Sequence, residues 1–301
     1  MLKFNFCQRS VVAIGALVAA LTVCAPSAMA ASPGKVEAVL APAWLERDGR
    51  DQPLTPGTEI KNGDVVKTGN GSRAYLMLAE GSRVKLGEAA RFEFKDSSAE
   101  PQSMFRGVFN VAAGAFRFTT GLLQKARGRD VTIRMATATI GIRGTDVWGR
   151  AAPDSELVAL IEGKIELSRA GQTFQLAPMN LMTARQGEGG QVQRFDFATL
   201  ESLALQTEIS PGGGAVSQTG KWMLKQDGLT DQAQAIAVYD RLRAAGYPTK
   251  IRPTRNAASG SGEWQYSVRI SGFATGEEAA KVAGSLRNAL GAQLTPHKFA
   301  N

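Results

Sequence analysis

From residue 34 to residue 195 the chain offers short apolar runs broken by glycine and almost no 3.6-residue periodicity. That pattern leaves strands as the regular structure available to this half. Ala74, Leu76 and Leu78 alternate with Arg73, Tyr75 and Met77, as the residues of a half-buried strand do. A Glu80-Gly81 turn then leads to Val84 and Leu86. The same phrase returns at 109–118 around Gly114 and at 158–167 around Gly163. Glycine takes positive φ without steric cost, so each of these positions can reverse or bend the chain between two β runs. The recurrence predicts an all-β unit, β-solenoid-like or built of stacked hairpins, with spacing too uneven for a strict repeat.

The pattern changes after residue 210. Residues 210–220 read Ser-Pro-Gly-Gly-Gly-Ala-Val-Ser-Gln-Thr-Gly, which offers little to bury, and 201–220 is predicted to be a flexible linker. It separates a β domain at 31–200 from a second domain at 221–301. Charge divides at the same place: residues 31–210 hold 22 Lys and Arg against 21 Asp and Glu, whereas 211–301 hold 11 against 6. In the second domain Trp222-Met223-Leu224 opens a strand. Thr230-Asp231 caps a helix through Ala245, with Ala235, Ile236, Tyr239 and Leu242 on one face and Gly246 and Pro248 as its stop. Strands at 249–253 and 264–270 follow. A capping box of Thr275 and Glu278 then starts a second helix, which buries Ala279, Val282, Ala283, Leu286 and Leu290 and ends at Gly291. A strand at 294–299 completes an α+β unit of βαββαβ type. That order places both helices on one face of a four-stranded sheet and leaves the other face bare.

The chain of 301 residues has one histidine, His297, and two cysteines, Cys7 and Cys24, which excludes most metal sites and most nucleophile and base pairs. Both cysteines lie in a segment that reads as an export signal. Lys3 and Arg9 give it a basic start, 11–23 is an apolar run too short to span a bilayer, and Ala28-Met29-Ala30 is a small-residue cleavage site. A lipoprotein signal would use Cys24, but Val23 stands where a small residue is wanted. Cleavage after Ala30 leaves a cysteine-free chain without disulfide or thiol chemistry. The expected product is periplasmic, exported through the inner membrane and not membrane-spanning. No catalytic residue, metal or cofactor is expected. Asp64, Asp146 and Glu162 sit beside turn glycines, where carboxylates hydrogen-bond the turn backbone, and nothing pairs them as acid and base. Gly141-Ile142-Arg143-Gly144-Thr145 is not a phosphate loop, because its flanks read as strands.

Several phrases carry a resemblance. Residues 63–69, Gly-Asp-Val-Val-Lys-Thr-Gly, the run 72–86 and above all Ala136-Thr137-Ala138-Thr139-Ile140-Gly141-Ile142-Arg143-Gly144-Thr145-Asp146 resemble a FecR domain over 34–195. Regulatory members of that family sense an outer-membrane transporter and control a cytoplasmic sigma factor, through a cytoplasmic segment and a membrane helix placed before this domain. Here the domain follows a cleavable signal directly, so the resemblance implies a periplasmic β module and not transmembrane sigma-factor regulation, one that offers a surface to an envelope protein partner or a second wall component.

Residues 220–299 resemble a SPOR domain, through Leu242-Arg243-Ala244-Ala245-Gly246-Tyr247-Pro248 and the 266–273 strand followed by Glu277-Glu278-Ala279-Ala280. That family binds septal peptidoglycan, specifically glycan strands stripped of stem peptides, on the exposed sheet face. The resemblance implies a glycan site formed by Lys225, Gln226 and Gly228 on the first strand and Trp264, Gln265, Ser267 and Arg269 on the third. Where the family reads Gln-x-Gly-Ser-Phe, this chain reads Lys225-Gln226-Asp227-Gly228-Leu229, so either Lys225 or Gln226 occupies the glutamine position. A basic βαββαβ sheet also resembles an RNA-binding module. Export removes that substrate and the aromatic ribonucleoprotein motif is absent, so nucleic acid is not an expected partner. Two readings follow: a non-enzymatic wall-binding protein, or an envelope signalling protein without sugar binding.

Overall fold

The computed structural model describes residues 32–98, 105–121, 129–185, 187–255 and 263–299. The expected signal and its cleavage point after Ala30 lie outside the described residues, as do residues 256–262. Among the described residues no helix is long and apolar enough to cross a membrane.

Alternation of buried and exposed side chains gives many strands of the first half one dry face. Arg73–Leu78, for example, buries Ala74, Leu76 and Leu78. Sheets built from such strands have one apolar face, which is buried against another like it. The hairpins accordingly assemble into two sheets. One runs in spatial order Gln172–Leu176, Ile165–Arg169, Ala138–Ile142, Arg129–Arg134, Phe105–Thr119, Arg91–Ser98, Val65–Thr68, Ala43–Arg47, Arg50–Pro53. The other runs Gln191–Arg194, Asn180–Arg185, Ser155–Glu162, Asp146–Ala151, Phe105–Thr119, Arg83–Leu86, Arg73–Leu78, Gly34–Leu40.

Phe105–Thr119 is shared: 105–113 pair in the first sheet and 114–119 in the second. Gly114 makes the change of sheet, with φ of 80° and so little room that a Cβ there would collide with Ala90. Between the sheets Phe92, Phe94, Phe109 and Phe118 form a cluster with ring centroids 5.3–6.4 Å apart. Such pairs add about 1 kcal/mol each beyond the area they bury.

The phrase 136–146 forms one corner between the sheets. Ala138–Ile142 lies in the first sheet and Asp146–Ala151 in the second. A second corner, at Gly163, returns the chain from Ser155–Glu162 to Ile165–Arg169 in the first sheet. The corners stack closely: at Gly163, with φ of 95°, an added Cβ would stand 2.8 Å from the Gly144 carbonyl oxygen. Thr145 N–H donates to Thr120 Oγ1 (3.1 Å), and Thr120 N–H donates to the Thr145 carbonyl (3.0 Å). Asp146, only 8% exposed, accepts two hydrogen bonds from Arg117 (2.9 and 2.7 Å) and one from Thr119 (3.2 Å). The most specific phrase of the first half therefore builds a joint. No helix follows it whose N-terminus could hold a phosphate.

Residues 201–220, expected to be a flexible linker, are held at several points. Helix α1 (Phe197–Leu205) is capped by Asp196, which accepts from Thr199 N–H (2.8 Å). Glu208 then accepts hydrogen bonds from the Tyr75 hydroxyl (2.6 Å) and Lys85 (2.5 Å), and Ile209 N–H donates to the same hydroxyl (2.6 Å). Val216–Ser217 forms a two-residue strand that pairs with Ala38 and Val39 on one side and Phe273 on the other. Small residues with little to bury still offer backbone hydrogen bonds to two sheet edges, which composition does not reveal.

Burial pushes the Glu208 carboxyl up, but the hydrogen bonds from Lys85 and Tyr75 and the charges of Lys85 and Arg117 outweigh it, so its pKa lies below the ordinary value. A carboxyl depressed in this way contributes stability above its unfolded pKa of about 4.3, and that stability is lost as pH falls through the folded value. Glu208→Gln is expected to lower Tm at pH 7 and to converge on the wild type well below pH 4. Calorimetry showing the same difference at both pH values would contradict this role.

The second half is the expected α+β unit. Its sheet runs Thr249–Arg255, Trp264–Phe273, Trp222–Leu229, Thr295–Lys298, all antiparallel. Helices α2 (Gln232–Ala244) and α3 (Gly276–Leu290) cover one face with Ala235, Val238 and Leu242 and with Ala279, Ala283 and Leu286, over Leu224, Val268 and Ile270. Val238 takes the place expected for Ile236, which is 42% exposed, because 235, 238 and 242 fall on one helical stripe. Thr275 caps α3 by accepting from Glu278 N–H (3.1 Å). The Glu278 carboxylate does not close the capping box. It accepts from Gly212 N–H (2.8 Å), since residues 212–214 lie across that helix end.

Candidate functional site

The pleat of the C-terminal sheet sends alternate side chains to the face without helices. Register places Lys225 opposite Arg269, and Arg269 opposite Lys250 on the other neighbouring strand. Arg252 is paired with Ser267, and Thr295 with Lys225. Three cationic side chains thus form one row across three strands. Like charges on directly opposed positions destabilise a sheet, and a bound anion would relieve the cost. Asp227 is the one carboxylate within the four strands, and it lies 2.5 Å from the Lys225 ammonium. Arg269 Nε donates to Ser267 Oγ (2.5 Å), which lays the guanidinium along the sheet. Ser267 is buried and engaged by Arg269, so the exposed hydroxyls of Ser271 and Thr295 supply donors and acceptors around this row, and Thr295 Oγ1 lies 2.9 Å from His297 Nε2.

The residues expected to form a glycan site therefore separate. Lys225, Gln265, Ser267 and Arg269 share the helix-free side. Gln226 pairs with Val268, on the helix side, and its amide oxygen accepts from Gln293 N–H (3.3 Å). Of the two candidates for the family's glutamine position, Lys225 is thus the one on the open face. Gly228 is exposed, with φ of 74°, where the register shifts between Gln226 and Leu229. Trp264 falls on the side of Val268 and Ile270, because counting back by twos from Ile270 ends on it. Half exposed beyond the helices, it carries the Arg255 guanidinium 5.1 Å from its ring centre.

Lys250, Arg252 and Ser271 complete the face and were not expected. The alternation of 249–253 was the signal that would have placed the first two. Phe299, 38% exposed, lies past the last strand beside Arg269 and Ser271. The arrangement can hold a chain of hydroxyls with acidic groups along it. Among the described residues no group of three or more His, Cys, Asp or Glu side chains could hold a metal ion.

Residues 64–166 match the family described as FecR protein, and residues 219–295 match the SPOR domain. No curated protein matches the chain. Two crystal structures of a protein proposed to be an anti-sigma factor, from Parabacteroides distasonis ATCC 8503, overlay with a TM-score of 0.40 and 12% identity. Each overlay covers 78% of this chain and 99% of the other. A likeness that slight carries no argument about function. The matched segments are binding and signalling domains, the second of them a peptidoglycan-binding domain, and the chain joins a FecR domain to a C-terminal SPOR domain.

Proposed function

We propose that this is an exported, periplasmic, non-enzymatic protein that attaches to denuded glycan strands of peptidoglycan through its C-terminal sheet. Its FecR domain is then presented to a second envelope component. The observation that supports the reading best is the row Lys225, Arg269 and Lys250 on a sheet face without helices, inside a segment matched to the SPOR domain. Glycan strands offer hydroxyls along their length, and removal of a stem peptide turns the lactyl amide of muramic acid into a free carboxylate. Guanidinium and ammonium groups suit those carboxylates, and serine and threonine hydroxyls suit the sugar. Denuded strands arise where amidases open the wall at division, so the protein is expected at division sites.

The purified protein should be retained on sacculi more strongly after amidase treatment than before it, while sacculus turbidity stays constant. Equal retention on both preparations would overturn the denuded-strand reading, and falling turbidity would make the protein a hydrolase. The match of residues 64–166 to the FecR family favours an envelope protein as the β domain's partner. Crosslinking in envelope extracts should capture it, and an uncrosslinked β domain would favour a wall component.

A further inference from the structure

The open sheet face does not end in solvent. Beside Ser271 it meets the turn that follows Arg50–Pro53 of the first half, and the two enclose a cleft of about 260 Å³. One wall is the SPOR sheet, contributing Lys250, Arg269 and Ser271, with Phe299 at its edge. The opposite wall is Thr55 of the β domain together with Gln218, from the bridging segment. Gln218 lies against Gly57, where an added Cβ would collide with its amide. No carboxylate lines the cleft. Among the described residues neither Lys250 nor Arg269 has an acidic partner, whereas Lys225 is engaged by Asp227. Two cations without counter-charges, a hydroxyl and an amide on the facing wall, and one aromatic ring together fit an acidic sugar: carboxylate to the cations, hydroxyls to Thr55 and Gln218, ring face to Phe299.

We infer that this cleft is a subsite for the free lactyl carboxylate and ring of a muramic acid residue, so that the FecR domain takes part in reading the glycan. The inference rests on the proposed attachment to denuded strands and adds that the site is shared between the two domains. It also gives the pairing of Val216–Ser217 with both sheets a function, because that strand fixes the two walls relative to each other.

The test places charge on the β-domain wall. Thr55 lies in a turn whose backbone bond, from Thr58 N–H to the Thr55 carbonyl (3.1 Å), does not depend on its side chain. Protein containing residues 31–301 is titrated with soluble denuded glycan chains and with the same chains after reduction of their carboxylates to alcohols. Thr55→Glu is expected to weaken binding of the intact chains about tenfold and to leave binding of the reduced chains nearly unchanged, while Thr55→Lys binds intact chains at least as well as the wild type. Wild-type affinity of Thr55→Glu for intact chains, with binding still lost in Arg269→Glu, would overturn the shared subsite and leave the sheet reading standing. Absence of wild-type binding to intact chains would overturn both.

Discussion

Asp146→Ala is expected to destabilise the protein by about 3 kcal/mol and to lower Tm by on the order of 10 °C. The carboxylate is nearly inaccessible and neutralises Arg117, itself largely buried, through two hydrogen bonds. Among the described residues, alanine would leave the guanidinium at the joint of the two sheets with Glu208, 3.5 Å away, as its one counter-charge. A solvated ion pair would be worth a fraction of this, so the size of the effect separates the two cases. A loss of less than about 2 °C in calorimetry would show that the corner does not depend on the pair.

Arg269→Glu is the second large effect. It should reduce retention on denuded glycan more than tenfold, or over 1.4 kcal/mol, because it replaces the middle cation of the row by a charge of the ligand's own sign. Raised salt should weaken wild-type binding in the same direction. Trp264→Ala is expected to change retention little, since Trp264 stands on the helix side of its strand. A large loss in Trp264→Ala beside a small one in Arg269→Glu would mean that the glycan lies across the other side of the sheet.

Much of the fold was legible in local chemistry. Alternation at 73–78 and the positive-φ glycines 81 and 163 gave strands and turns, and Asp231, Thr275 and Gly291 marked helix ends that the structure keeps. What local chemistry could not reveal was long-range. Gly114 bends a single strand from one sheet into the other, where its sequence phrase matched those of the reversing glycines. Val216-Ser217 has no hydrophobic pattern to announce a strand, because two neighbouring edges supply its pairing.

The candidate site was partly legible for a related reason. The resemblance named the sheet face and alternation sets Ser267 and Arg269 on it; applied to the neighbouring strand, alternation adds Lys250 and Arg252. Trp264 enters the site through the resemblance, although parity puts it on the far side. The cleft beneath Thr55 depends on how the first half meets the second, and no spacing within either half encodes that.

The central claim is that this protein holds glycan strands by their freed carboxylates on the open C-terminal sheet. Equilibrium titration of the purified protein with soluble glycan chains, with and without their stem peptides, tests it most directly. Saturable binding to the stripped chains, weakened by salt and strongly reduced in Arg269→Glu, is the expected result. Equal affinity for both kinds of chain, or binding indifferent to Arg269, would contradict it.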